Sequence, residues 1–180
     1  MEARRVVTGH DDRGRSIVVA DERVKAISVS TLPGIEFHRL WGADATLTFP
    51  GSGAMPAATN YFPPIGGFRF GFFTLPPAAS GEPPPQRDMP AVLAEFEAKL
   101  PGLAQYMEPE NPGMHTTPTV DVDVVIAGEV VMELDEGKTV TLRVGDSIVQ
   151  NGTRHRWRNE ASVPATIAFF ICGADHAKFR

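Results

Sequence analysis

Two histidines, two aspartates and a threonine recur at spacings that suit chemistry inside a β-structure: His115, Thr117, Asp121 and Asp123 in one stretch, and His155 with Trp157 further along. On a straight strand, residues of one parity share a face. His115, Thr117, Asp121, Asp123 and Val125 then point to one side, and Val120, Val122, Val124 and Ile126 to the other. Two carboxyl groups facing one cavity raise one another's pKa, which makes one of them a general acid or base. Where a twist or bulge intervenes, Asp123 turns instead to solvent or to an arginine. His155 and Trp157 share a parity and set an imidazole beside a large apolar wall, an arrangement that suits an organic ligand. Gln150, at the end of its strand before the turn Asn151-Gly152-Thr153, either hydrogen-bonds a carbonyl substrate or caps that turn.

The elements that must position these groups are short strands. After Met114 the segments TVDVDVVIA, EVVMEL, KTVTLR, DSIVQ, HRWRN and PATIAFFIC follow one another, separated by the turn signals AGE, DEG, VGD and NGT. That pattern predicts an antiparallel β-barrel or jelly roll. Upstream, RRVVTG and RSIVVA flank HDDRG and read as a hairpin, GIEFHRLWG alternates as a half-buried strand, and GFRFGFFTL is a further strand. Of its phenylalanines, Phe68, Phe70, Phe72 and Phe73 are expected mostly in the core, the even-numbered ones being candidates for the mouth of a cavity. Residues 46–64 have no sustained period and read as a long ordered loop or a lid. The proline-rich stretch 76–90 favours an extended connection. Val92, Leu93, Phe96 and Leu100 recur at spacings of three and four, which predicts a helix over 90–100 with Glu95, Glu97 and Lys99 outside. The valine side of the 119–127 strand is expected to pack against the other sheet, the helix around Phe96, or a partner subunit.

The stretch from His115 to Asn159 resembles the two motifs of the cupin superfamily, G-x5-H-x-H-x3,4-E-x6-G and G-x5-P-x-G-x2-H-x3-N. His115 falls on the first histidine, Thr117 on the second, Asp121 on the glutamate and Gly128 on the closing glycine of the first motif. Gly145, Gly152, His155 and Asn159 match the second motif, which is one residue shorter before its internal glycine and lacks the proline. The resemblance implies a single cupin domain over 1–180, all-β in the main, with an N-terminal strand extension and one helix. It also implies a divalent metal (Fe, Mn, Ni or Zn) on a reduced ligand set of His115, Asp121 and His155, since two histidines and a carboxylate form a facial triad with open positions. Thr117 is a weak replacement ligand, and Asp121 is one methylene shorter than glutamate. A metal-free cavity, in which these side chains bond one another or a substrate, is the alternative.

Composition narrows the partners. Apolar residues make up 42% and charged residues 22%, and the formal net charge is −5, so nucleic acid and anionic membranes are poor partners. No apolar run approaches a membrane span, and a cytoplasmic location is expected. Cys172 is the only cysteine, which excludes an intrachain disulfide and a thiolate zinc site. Arg154, Arg156 and Arg158 are expected in surface or interface salt bridges, and His10, His38 and His176 outside the site. The expected function is an enzyme acting on a small aromatic or carbonyl-containing metabolite, with Asp121, Asp123 and His155 catalytic and with Thr117, Gln150 and Trp157 contacting substrate. It works either through the metal as a dioxygenase- or lyase-like enzyme, or without one as an acid/base isomerase, cyclase or decarboxylase. A non-catalytic binding protein is the remaining reading. No organic cofactor is expected, and a homodimer is.

Overall fold

The computed structural model describes residues 2–30, 32–78 and 89–179. Two strands, β1 (Ala3–His10) and β2 (Ser16–Val24), form the expected hairpin, and β3 (Glu36–Ala43) and β4 (Phe68–Leu75) follow. After the helix α1 (Met89–Lys99) come β5 (Thr119–Ala127), β6 (Glu129–Glu133), β7 (Thr139–Arg143), β8 (Ser147–Asn151), β9 (Arg156–Arg158) and β10 (Ala165–Gly173). Every strand segment read from the sequence after Met114 is therefore present. They assemble as two antiparallel sheets rather than one closed ladder: a five-stranded sheet in the order β3-β4-β10-β5-β8 and a three-stranded sheet in the order β7-β6-β9. The fold is mainly β, a jelly-roll sandwich.

The two sheets face each other across a shared core. Leu75, Val125 and Ile167 from the first meet Val130 and Leu142 from the second, with Ala165 between them. A second cluster, of Val29, Phe37, Tyr61, Phe62, Leu100, Leu103, Phe169 and Ile171, closes one end. Burying each large side chain in these clusters contributes about 1.5–3 kcal/mol. At Gly128, between β5 and β6, φ is +70° and an added Cβ would press on the backbone of Pro164 and Ala165. Only glycine fits there, and it lets β5 turn into the facing sheet.

The long 46–64 loop is tied down rather than loose. Arg69, buried on β4, donates to the carbonyls of Ala43, Asn60 and Phe68 and pairs with Asp44. Arg39 donates to the Ala58 carbonyl, and the Tyr61 amide donates to the Pro101 carbonyl. These bonds hold Tyr61 and Phe62 inside the molecule.

Two expectations need correction, for the β4 phenylalanines and for the helix. Phe68, Phe70 and Phe72 lie on the outer face of the five-stranded sheet and Phe73 on the inner one, because the alternation on β4 puts Phe73 opposite Phe37 and Ile167, whereas Phe70 pairs with Phe170. The valine side of β5 joins that outer face: Phe70, Phe170, Val122 and Val149 lie side by side across four strands, each more than a third exposed. On α1, Leu93 is exposed, whereas Glu95 turns inward to accept from the Ser30 amide and hydroxyl. The helix thus packs through Phe96 and the adjoining Leu100, not through a full apolar stripe. Of the proline-rich connection, residues 79–88 lie outside the described residues.

Leu100 is fully buried and Leu93 is half-exposed, so the two should respond oppositely to truncation. In urea unfolding, Leu100→Ala should cost about 2–5 kcal/mol and Leu93→Ala no more than about 0.5 kcal/mol.

Candidate active site

The histidines are brought together by backbone pairing. His115 donates its amide to the His155 carbonyl, and His155 donates back to the His115 carbonyl, both at 2.9 Å. This antiparallel bridge extends the second sheet beyond β9 and sets the two rings 4.3 Å apart between centroids. Each ring is then locked by a main-chain carbonyl: His115 Nδ1 lies 3.0 Å from the Gly113 oxygen and His155 Nδ1 lies 2.8 Å from the Thr153 oxygen. A carbonyl only accepts, so Nδ1 carries the hydrogen in both rings and Nε2 is left with a lone pair. Burial depresses the pKa of His115. Burial, and then the neighbouring His115, take His155 down to about 4. Both imidazoles are neutral near pH 7. Trp157 stands edge-on to His155 at 5.9 Å.

The carboxyl groups come from the other sheet. Asp121 pairs with Ile171 and Gln150, and Asp123 with Phe169 and Ile148, which places both on the inner face of β5. They are 7% and 6% exposed. Burial raises Asp121 to about 6, against a smaller downward pull from the Thr119 hydroxyl. Burial together with the charge of Asp121 raises Asp123 to about 8. Near neutrality the pair shares one proton, and among the described residues Asp121 Oδ1 has no hydrogen-bond partner.

Both pairs line one half-open cavity of about 200 Å³. Its walls are aromatic and aliphatic: Phe37, Tyr61, Phe73, Trp157 and Phe169 line it with His115, His155, Asp121 and Asp123. No lysine or arginine is among the described residues lining it. Tyr61 has its phenol pKa pushed up by burial and by the charge of Asp121.

The structure brings together five of the residues singled out from the sequence and leaves two aside. His115, His155, Asp121, Asp123 and Trp157 share the cavity, and Asp123 faces inward. Thr117 and Gln150 are buried outside its lining: Thr117 bonds the Thr119 hydroxyl at 2.7 Å, and Gln150 accepts from the Thr153 hydroxyl and donates toward Met132 sulfur. His115 and Asp121 do not share one strand face either. Residues 116–118 leave the ladder, and Pro118, which has no amide to donate, marks the crossing from one sheet to the other. Among the described residues no three His, Cys, Asp or Glu side chains lie close enough to hold a metal ion. The ligand set His115, Asp121 and His155 implied by the resemblance is therefore not assembled, and a metal does not fit these side chains as placed. The aromatic walls from Phe37, Tyr61 and Phe169 were missed. Phe37 had a strand-parity signal, whereas Tyr61 sits in a loop without one.

Other polar residues have structural roles. Arg154 bridges Glu108 and Asp135, Arg156 pairs with Glu133, and Arg158 with Glu133 and Glu160. Asn159 donates to the Val163 and Leu75 carbonyls and accepts from the Ala161 amide, holding the turn into β10. His38 is buried near Phe72, away from the cavity.

No protein-family model matches the chain. It is similar to the oryzines biosynthesis cluster protein J of Aspergillus oryzae, 42% identical over 61 residues that make up 34% of each chain. It is also similar to the phomopsin biosynthesis cluster protein D of Diaporthe leptostromiformis, 46% identical over 48 residues, 27% of this chain and 25% of that one. The matches span about a quarter to a third of these curated relatives. Among solved structures, the Schizosaccharomyces pombe Cnp3 cupin domain matches with TM-score 0.48 and 8% identity, over 96% of this chain and 89% of that one. A predicted oxalate decarboxylase from Thermotoga maritima matches with TM-score 0.45 and 17% identity, over 83% and 93%. The architecture set out above is a two-sheet antiparallel β-sandwich, and a fold does not determine an activity.

The buried pairs set the pH dependence of stability. Between the ordinary carboxyl range and about pH 8 the folded protein holds a proton at Asp123 that the unfolded chain has released, so stability falls as pH rises through that window. The histidines act oppositely, adding stability as pH rises from about 4 to 6.5. The histidine effect fades above its ordinary pKa of 6.5, and the carboxyl effect dominates from about pH 7 upward. Thermal melts should show Tm falling from about pH 7 to 8, with stability lost at no more than about 1.4 kcal/mol per pH unit, and Asp123→Asn should flatten it.

Proposed function

We propose that the protein is a metal-independent enzyme that moves a proton on a small, largely apolar molecule held between the two sheets, in an isomerisation, cyclisation or elimination. One observation carries this reading. A carboxyl group kept protonated by burial, Asp123, and an imidazole kept neutral with a free Nε2, His155, open from facing sheets onto one apolar cavity. Pairs of titratable groups whose surroundings push their pKa values apart are how a site runs acid and base chemistry together at neutral pH.

A substrate lying between them receives a proton from the Asp123 carboxyl and gives one up to His155 Nε2. The substrate changes bonding without net oxidation, and the resulting carboxylate and imidazolium reset by exchanging a proton. The curated relatives named in biosynthesis clusters are compatible with work on a small metabolite, and this chain's own substrate is part of the proposal.

Proton transfer to and from carbon can be read as deuterium uptake. Small aromatic compounds incubated with the protein in D2O and a chelator should gain deuterium by proton NMR. The rate should follow a bell with limbs near pH 4 and pH 8, set by His155 and Asp123. Asp123→Asn and His155→Gln should each lower it by about 100-fold or more. Exchange that is abolished by chelator and restored by a divalent ion, or that survives both substitutions, would overturn the reading.

A further inference from the structure

The cavity is unbalanced in charge and in hydrogen-bonding capacity. Asp121 is 7% exposed, and although the Thr119 hydroxyl bonds its carboxyl group, its Oδ1 has no partner among the described residues. No lysine or arginine is among the described residues lining the space in front of it. Both histidines offer only a lone pair, because their N–H groups are spent on the Gly113 and Thr153 carbonyls. Apart from the Asp123 proton, the polar groups presented by these four side chains are acceptors. A buried carboxylate without a counter-charge is costly, and the described residues lining the cavity supply none. The remaining walls are aliphatic side chains and aromatic rings, and the negative faces of aromatic rings attract a cation.

We infer that Asp121 anchors the protonated amino group of a small aromatic amine, the ring of which lies among Phe37, Tyr61, Phe73, Trp157 and Phe169. The inference rests on the reading of this cavity as a proton-transfer site and names its substrate class. Size points the same way. A cavity of about 150 Å³ holds one benzene, so about 200 Å³ holds a single ring with a short side chain. The ammonium satisfies Asp121 Oδ1 and leaves Asp123 and His155 free for the proton transfer. A carboxylate- or phosphate-bearing ligand meets the Asp121 charge with no lysine or arginine among the described lining residues to offset it.

The test is calorimetric binding at pH 7 with chelator present, using benzylamine and its near-isosteres benzyl alcohol, toluene and benzoate. Benzylamine should bind at least about tenfold more tightly than the neutral compounds, and benzoate should not bind. In Asp121→Asn, whose side chain has nearly the same shape, the preference for the amine should disappear while the neutral compounds bind as before. Equal or tighter binding of benzyl alcohol or toluene by the native protein overturns the inference, as does binding of benzoate, or amine binding that appears only when a divalent ion is added. The ranking in the native protein decides the matter even if Asp121→Asn fails to fold. Binding is read without turnover, so a protein that takes the amine but exchanges no deuterium sinks the enzymatic reading and leaves this one standing.

Discussion

Two carboxyl groups separated by one residue on a strand must share a face, and on β5 that face is the inside of the molecule. Burying both is electrostatically expensive. Much else in the interior accommodates it: the pair retains a proton, the facing imidazoles stay uncharged, and among the described residues no other ionised side chain lines the cavity. An apolar pair at these positions would fill the same space at lower cost. Their presence inside therefore points to a use for them, and the proton shared between them is the natural candidate.

The sandwich keeps the two kinds of group apart until the cavity. Acids come from the five-stranded sheet and bases from the edge of the three-stranded one, so neither pair depends on the other for its placement. Asp121 and Asp123 are held by ladder bonds to β8 and β10. His115 and His155 are held by their own two-way bridge. The aromatic walls have a third origin, since Tyr61 and Phe62 enter from a loop anchored by Arg69 and by the Pro101 carbonyl. Three independent supports converge on one small volume.

Much of this was legible in the sequence because strand alternation is a strict rule. The inward Asp121, Asp123 and Val125, the hairpin of β1 and β2, and the run of strands after Met114 all follow from period two. The same rule failed where its premise of an unbroken strand failed. Thr117 has the parity of Asp121, but Pro118 interrupts the ladder between them, so His115 arrives from the opposite sheet and the ligand triad does not close. Gln150 had the right face but is spent on its own turn. The burial of Tyr61 was invisible for a different reason: it depends on a hydrogen bond to Pro101, far away in sequence, and no local pattern encodes that.

The imidazoles are oriented by oxygens that belong to the main chain at Gly113 and Thr153. An acceptor of that kind survives any exchange of side chain at those two positions, provided the local backbone path is kept. The orientation of the bases is thus insulated from substitution, whereas the acids are ordinary side chains that one codon change can replace. A designer, or drift among relatives, can rewrite the β5 half of the site and inherit an intact pair of lone pairs opposite it.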